Sequence, residues 1–224
     1  PVPIAVASTA VVHLANNVFR VIFAGRNADW RIVLAFGLPA VALAIPGAFL
    51  LLQISDVSPI YTYHIADKEF NITTVQIVIA TLILLVAALE LAPRLRKLEF
   101  PRKWVPIGGA LSGFFGGLSG HQGALRAAVL AKTDLTTPAF VGTVSVCAFM
   151  VDVSRLAVYG FTFFTDDFTN FSEGNSIALV GAATIAALFG NYTGSKFLKK
   201  VTMEAIRRVV GIMLIAIGTT LGLG

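Results

Sequence analysis

Charge, cysteine and histidine are all scarce in this chain: 13% of its 224 residues are Asp, Glu, Lys or Arg, one is cysteine and three are histidine. A single cysteine, Cys147, excludes an internal disulfide and leaves no pair for dithiol redox chemistry. It reads as a small apolar packing residue. His13 and His64 have no companions at metal-ligand spacing, so no metal site is assigned. Without paired cysteines, axial histidines or clustered carboxylates in its apolar stretches, the chain lacks the equipment of a membrane enzyme or electron-transfer subunit. No enzymatic activity and no cofactor are expected. The charge that is missing is missing in blocks. None occurs from Ile32 to Ser55, Asn71 to Leu89, Trp104 to Leu125, Asn175 to Ser195, or Val209 to the end, and each block approaches or exceeds the roughly 20 apolar residues of a spanning helix.

What is present is hydrophobic: 56% of the residues and a mean hydropathy of +0.82 place the chain outside the soluble globular range and in the lipid bilayer. A net charge of +5 would suggest nucleic acid in a soluble protein. Here the basic residues flank apolar spans and act as topology signals, so no nucleic-acid partner is expected.

Seven apolar segments follow one another: 3–24, 31–54, 71–92, 104–131, 137–163, 175–198 and 207–223. Arg94, Arg96, Lys97, Arg102 and Lys103 mark one connection as cytoplasmic, and Lys196, Lys199, Lys200, Arg207 and Arg208 mark another. Stretches 55–70 and 164–174, rich in Asp and Glu, face outward. Seven simple crossings contradict those signs. They agree if segment 104–131 enters from the cytoplasm, turns at its middle and returns. Its middle, Gly116-Gly-Leu-Ser-Gly-His-Gln-Gly123, holds four helix-breaking glycines, and irregular backbone at membrane depth survives only where protein buries it or a wet cavity receives it.

The chain also repeats itself. Pro3, Asn17, Arg20 and Gly25 recur 135 residues later as Pro138, Asp152, Arg155 and Gly160. One re-entrant hairpin followed by three crossings inverts each repeat relative to the other, an arrangement common in transporters, whose substrate site lies at the repeat interface. The expected fold is therefore all-α: a polytopic membrane protein of inverted-topology repeats, with about six spanning helices and a glycine-rich re-entrant hairpin. Residues 1–92 form the first repeat, 93–103 a basic cytoplasmic loop and 104–224 the second repeat. By the same offset the first hairpin precedes Pro1, so the first repeat is expected to be incomplete at its N-terminus.

The chemistry concentrates in two places. In the hairpin, Ser119, Gly120, His121, Gln122, Gly123 and Arg126 combine exposed backbone with polar side chains and one fixed positive charge, a combination that suits an anion. The alternative is that the glycines serve helix packing and that Arg126 reaches the interface. In the repeated helix, Asp152 and Arg155 at i,i+3 share a face and neutralise each other, either as a structural pair or as one that opens for an anion or a proton. Asn17 and Arg20 are their counterparts, with Arg20 also readable as a cytoplasmic anchor. His121 is a candidate proton carrier, and Ser8, Asn16 and Thr143 are further donors. Ionisable residues inside a membrane tend to line ion or substrate paths, and three arginines point to a small anion.

The Gly116–Gly123 hairpin, the Pro138-Ala-Phe-Val-Gly-Thr143 segment, Asp29-Trp30 at the start of the second span and the paired repeats resemble the TauE/SafE sulfite exporters, the four-toluene-sulfonate uptake family. The resemblance implies an inner-membrane secondary carrier of sulfite, organosulfonates or other small organic anions, run by the proton gradient and alternating access. A carrier of carboxylates and an anion channel are the alternatives, and a homodimer is left open. His121, Gln122 and Arg126 depart from the family's glycine triplet and apolar residues, which implies a more highly charged or more strongly hydrogen-bonding cargo.

Overall fold

The computed structural model describes residues 2–55, 57–65, 68–92, 102–120, 122–130, 133–166, 176–197 and 203–224. Among the described residues, eight α-helices run in order: α1 (Val2–Ala24), α2 (Trp30–Ser55), α3 (Thr74–Leu91), α4 (Val105–Ser119), α5 (Gly123–Leu130), α6 (Thr137–Asp166), α7 (Ser176–Phe197) and α8 (Met203–Leu223). Two of them, over Trp30–Ile54 and Thr137–Gly160, are long and apolar enough to cross a membrane by length and composition; Thr74–Ala88, Val105–Ser119, Ala178–Thr193 and Arg208–Leu223 are shorter apolar helices.

Local chemistry sets the helix starts. Asp29 caps α2, its Oδ1 accepting from the N–H groups of Arg31 at 2.9 Å and Ile32 at 3.2 Å. The N–H of Asp29 donates to Thr143 Oγ1 at 3.0 Å, fastening this turn to α6. Thr143 is thereby committed to structure. A reciprocal capping box between Thr73 and Gln76 starts α3, three residues later than hydropathy alone suggests. The residues just before it belong to a small antiparallel hairpin, β1 (Tyr61–Ile65) and β2 (Lys68–Ile72), in the stretch expected to be a plain acidic loop. Aromatic and β-branched residues favour the strand conformation there. Tyr63 stacks on Phe70 across the strands, ring centroids 5.3 Å apart, and donates its hydroxyl to the carbonyl of Leu223 at the end of α8.

The glycines of α4 decide how the bundle packs. A Cβ added at Gly109, Gly113 or Gly117 would lie 2.2, 1.9 or 2.1 Å from the carbonyl oxygens of Phe36, Ala40 and Ala44, which recur at the same four-residue interval along α2. Two helices in such close backbone contact leave no room for side chains between them. Then the chain doubles back. Gly120 takes a left-handed conformation, φ 78°, which glycine adopts without steric cost. Beyond it Val129 of α5 packs against Gly108, and Ser112 donates to the carbonyl of Gln122. At about 22 Å for its 15 residues, α4 is shorter than the roughly 30 Å hydrocarbon layer. The predicted hairpin is present.

Elements at corresponding places in the two repeats also pack together. Helix α1 lies against α6 and α3 against α8; α2 additionally contacts α6, while its counterpart α7 contacts α1. Large apolar side chains line the outside as well as the core. Ile22, Leu179, Ile185 and Phe189 are about 70% exposed, whereas Asn17, Arg126, Asp152 and Arg155 are buried. Lipid accepts the first set, and only a polar interior accepts the second.

Candidate functional site

The buried polar groups meet where the hairpin turn faces α6 and α1. Helix α4 ends inside the protein and exposes its last carbonyls there; Gly116 O already accepts the N–H of Gly120 at 2.9 Å and keeps a second lone pair. Arg155 reaches them from α6: its Nη1 donates to Gly116 O at 3.4 Å and lies 2.7 Å from where a side chain at Gly120 would begin. One turn further along α6, Tyr159 donates its hydroxyl to Gly117 O. A cation at a helix C-terminus is favourable, so α4 presents Arg155 with its negative end. Hairpin dipoles in the sequence-based expectation were those of helix N-termini; the carbonyl end and Tyr159 are what that reasoning missed. The i,i+4 spacing of Arg155 and Tyr159 on one apolar helix was the available signal.

Asp152 is the hub. Its Oδ1 lies 2.9 Å from Arg155 Nη2 and accepts from Gln122 Nε2 at 3.5 Å, and its Oδ2 accepts from Asn17 Nδ2 at 2.6 Å. Asn17 and Asp152 are separated by 135 residues, the offset of the sequence repeat. Corresponding positions of the two halves therefore touch. The contact between Arg155 Nη2 and the carboxylate is electrostatic without hydrogen-bond alignment, because that nitrogen finds no hydrogen-bond acceptor.

Among the described residues no carboxylate lies within ion-pair distance of Arg126, in contrast to Arg155. Arg126 is 6% exposed, and its Nε and Nη1, like Nε and Nη2 of Arg155 and Oε1 of Gln122, are buried without a hydrogen-bond partner among the described residues. Cys147, Asp152, Arg20 and Arg155 are near enough to interact with it electrostatically. An unpaired buried polar group costs about 1–3 kcal/mol, and a charged one more. Among the described residues, Arg126 Nε and Nη1 and Arg155 Nε thus have neither a hydrogen-bond acceptor nor a carboxylate oxygen beside them, while Arg155 Nη2 has the Asp152 carboxylate.

Gly120, Gln122, Asp152, Arg155 and Asn17, all singled out in the sequence, are joined by these contacts, and Arg126 lies within electrostatic reach of Asp152 and Arg155. Arg20 is half-buried on α1, one turn beyond Asn17, within electrostatic reach of Arg126. Ser119 is buried and donates its hydroxyl to Phe115 O at 3.0 Å. Gly123 opens α5 with an exposed position and open space around it. His121 lies outside the described residues. Asn16 accepts from Asn191 Nδ2 at 3.1 Å, linking α1 to α7. The glycines divide between two roles: Gly109, Gly113 and Gly117 seat α4 on α2, while Gly116 and Gly120 make room for Gln122 and Arg155.

A cavity of about 310 Å³ lies elsewhere, between α3 and α8, lined by Ile77, Ala80, Thr81, Leu84, Gly218, Thr219, Gly222 and Leu223. It carries no charge, and we assign it no part in the chemistry.

Apolar helices outside, a broken helix inside and buried cations at its break define a polytopic membrane transport protein. A family model described as sulfite exporter TauE/SafE matches residues 1–221. The chain belongs to that family, and is a multi-pass membrane protein of a class that transports sulfur-containing anions. No curated protein and no solved structure matches it.

Proposed function

We propose that this protein is a secondary carrier that moves a small anion, sulfite or an organosulfonate, across the cytoplasmic membrane. The observation that carries the reading is the set of buried guanidinium nitrogens left without acceptors on Arg126 and Arg155. Sulfite or a sulfonate offers three oxygens, and charge-assisted hydrogen bonds to them are about twice as strong as neutral ones. Gln122 orients the anion; Asp152, itself held by Asn17, keeps Arg155 in place, and Arg20 faces the same space from the other half.

Residues 1–92 and 104–224 act as two inverted repeats joined by the basic cytoplasmic connection 93–103. Rocking one against the other about the Asn17–Asp152 contact exposes the site alternately to each side, with proton movement coupled to the anion. With both arginines closed off from the surface, the structure fits the occluded stage of such a cycle.

Purified protein in liposomes tests this. Arg126→Ala is expected to lower sulfite flux on the order of tenfold to a hundredfold, the worth of one charged hydrogen bond. The unmodified protein should show saturation and counterflow. Flux that neither saturates nor counterflows identifies a channel, and flux unchanged by Arg126→Ala removes the site assignment.

A further inference from the structure

Among the described residues, the fully enclosed ionisable side chains with assigned charge are Arg126, Arg155 and Asp152. Two cations and one carboxylate leave one net positive charge in a low-dielectric interior, where each uncompensated unit is costly. Half-buried Arg20 keeps part of its solvation and weighs less. Taking the anion reading above as its premise, we infer that Asp152 sets the valence of the anion the site accepts. With Asp152 ionised, the site matches a monoanion; a dianion binds only together with a proton taken up by Asp152.

The geometry makes Asp152 the group that can do this. Its carboxylate holds Arg155, Gln122 and Asn17 at once. On protonation it keeps an acceptor oxygen for Asn17 while the Arg155 guanidinium, which lacks an acceptor on Nε and gives up the ion pair at Nη2, is freed for a second negative charge. The proton balance is simple: one proton enters with each dianion and none with a monoanion. Among the described residues, the other charged or titratable groups around this point are Arg155, Cys147 and Tyr159 on α6, Arg20 on α1 and Arg126 on α5; His13, a turn before Asn17 on α1, is exposed. Helix α4 contributes carbonyls, and α2 has no ionisable residue from Ile32 to Ser55. Asp152 is the acid in this set.

Sulfate and methanesulfonate separate the cases, being tetrahedral, similar in size, of charge −2 and −1, and neither titrating near neutral pH. Calorimetric titration of the purified protein in two buffers of different ionisation enthalpy counts the protons taken up. Sulfate should bring about one proton, so that its affinity falls about tenfold per pH unit, and methanesulfonate none. In Asp152→Asn the site is locked at the higher positive charge: proton uptake disappears, and the affinity ratio of sulfate to methanesulfonate rises roughly tenfold or more. The same substitution separates Asp152 from His13 and His121 as the proton's seat. Sulfate binding without proton uptake, no sulfate binding at any pH, or an unchanged ratio in Asp152→Asn overturns the valence rule while the anion site stands. If neither anion binds the unmodified protein, both fall. Should Asp152→Asn fail to fold, the proton count in the unmodified protein decides alone.

Discussion

Arg155→Ala is expected to abolish transport and, separately, to destabilise the protein by about 3–5 kcal/mol, the cost of leaving a buried ion without its partner. Three contacts end together: the ion pair with Asp152, the bond to Gly116 O and the charge at the end of α4. The orphaned carboxylate then keeps only Asn17 and Gln122. The two effects come apart in the double substitution Asp152→Ala with Arg155→Ala. Removing both charges returns most of the stability, since the penalty arises from the unpaired partner, and returns none of the transport. Arg155→Lys should hold the fold and transport poorly. A lysine is a point charge, whereas Arg155 spans a carbonyl and a carboxylate at once. Thermal melting in detergent beside flux in liposomes reads both quantities. An Arg155→Ala protein of normal stability contradicts the buried pair, and one of normal flux contradicts the site.

A single methyl group on α4 should be nearly as damaging. In Gly113→Ala the new Cβ would stand 1.9 Å from Ala40 O and 2.5 Å from that residue's carbonyl carbon and Cα. These are backbone atoms of α2, so no side-chain rotation relieves the clash. Helix α4 must move away by more than an ångström. Overpacking of this kind costs about 1–3 kcal/mol where neighbours can yield, and here the yielding unit is a whole helix. Its movement also withdraws the carbonyls of Gly116 and Gly117 from Arg155 and Tyr159. Gly181→Ala and Gly190→Ala on α7 are the controls, because nothing lies within 4 Å of either new methyl group and alanine favours helix by about 1 kcal/mol over glycine. Unchanged melting and flux in Gly113→Ala would show that α4 and α2 do not pack as described.

Much of the site could be read before any coordinates, for identifiable reasons. The hairpin was visible twice over, in four glycines within eight residues and in loop charges that seven straight crossings cannot satisfy. Asp152 and Arg155 were visible as a pair because helical spacing alone puts i,i+3 on one face. The Asn17–Asp152 contact was implicit in the repeat, since positions equivalent under a twofold relation meet where the axis passes between them. Other features depend on rotations and distances that no local pattern encodes. Which glycines seat α4 on α2 and which clear space for Arg155 is settled by the rotation of α4 about its axis. Tyr159 gave no signal beyond its spacing, because a tyrosine in an apolar helix is usually core. The β-hairpin was hidden in a stretch whose acidic residues drew attention to topology, while the Tyr63–Phe70 pairing that forms it is an alternation of only a few residues.

At the centre of this account, two arginines are kept buried and short of acceptors for an anion that arrives from outside the protein. Melting of the purified protein against rising sulfite tests that most directly, since a ligand that binds only the folded state raises Tm with its concentration, by about 2.7 kcal/mol of stabilisation at a hundred times Kd. The unmodified protein should melt progressively higher and Arg126→Ala should not respond. An equal rise in both, or no rise in the unmodified protein with sulfite, sulfoacetate, thiosulfate or a small carboxylate, would contradict it.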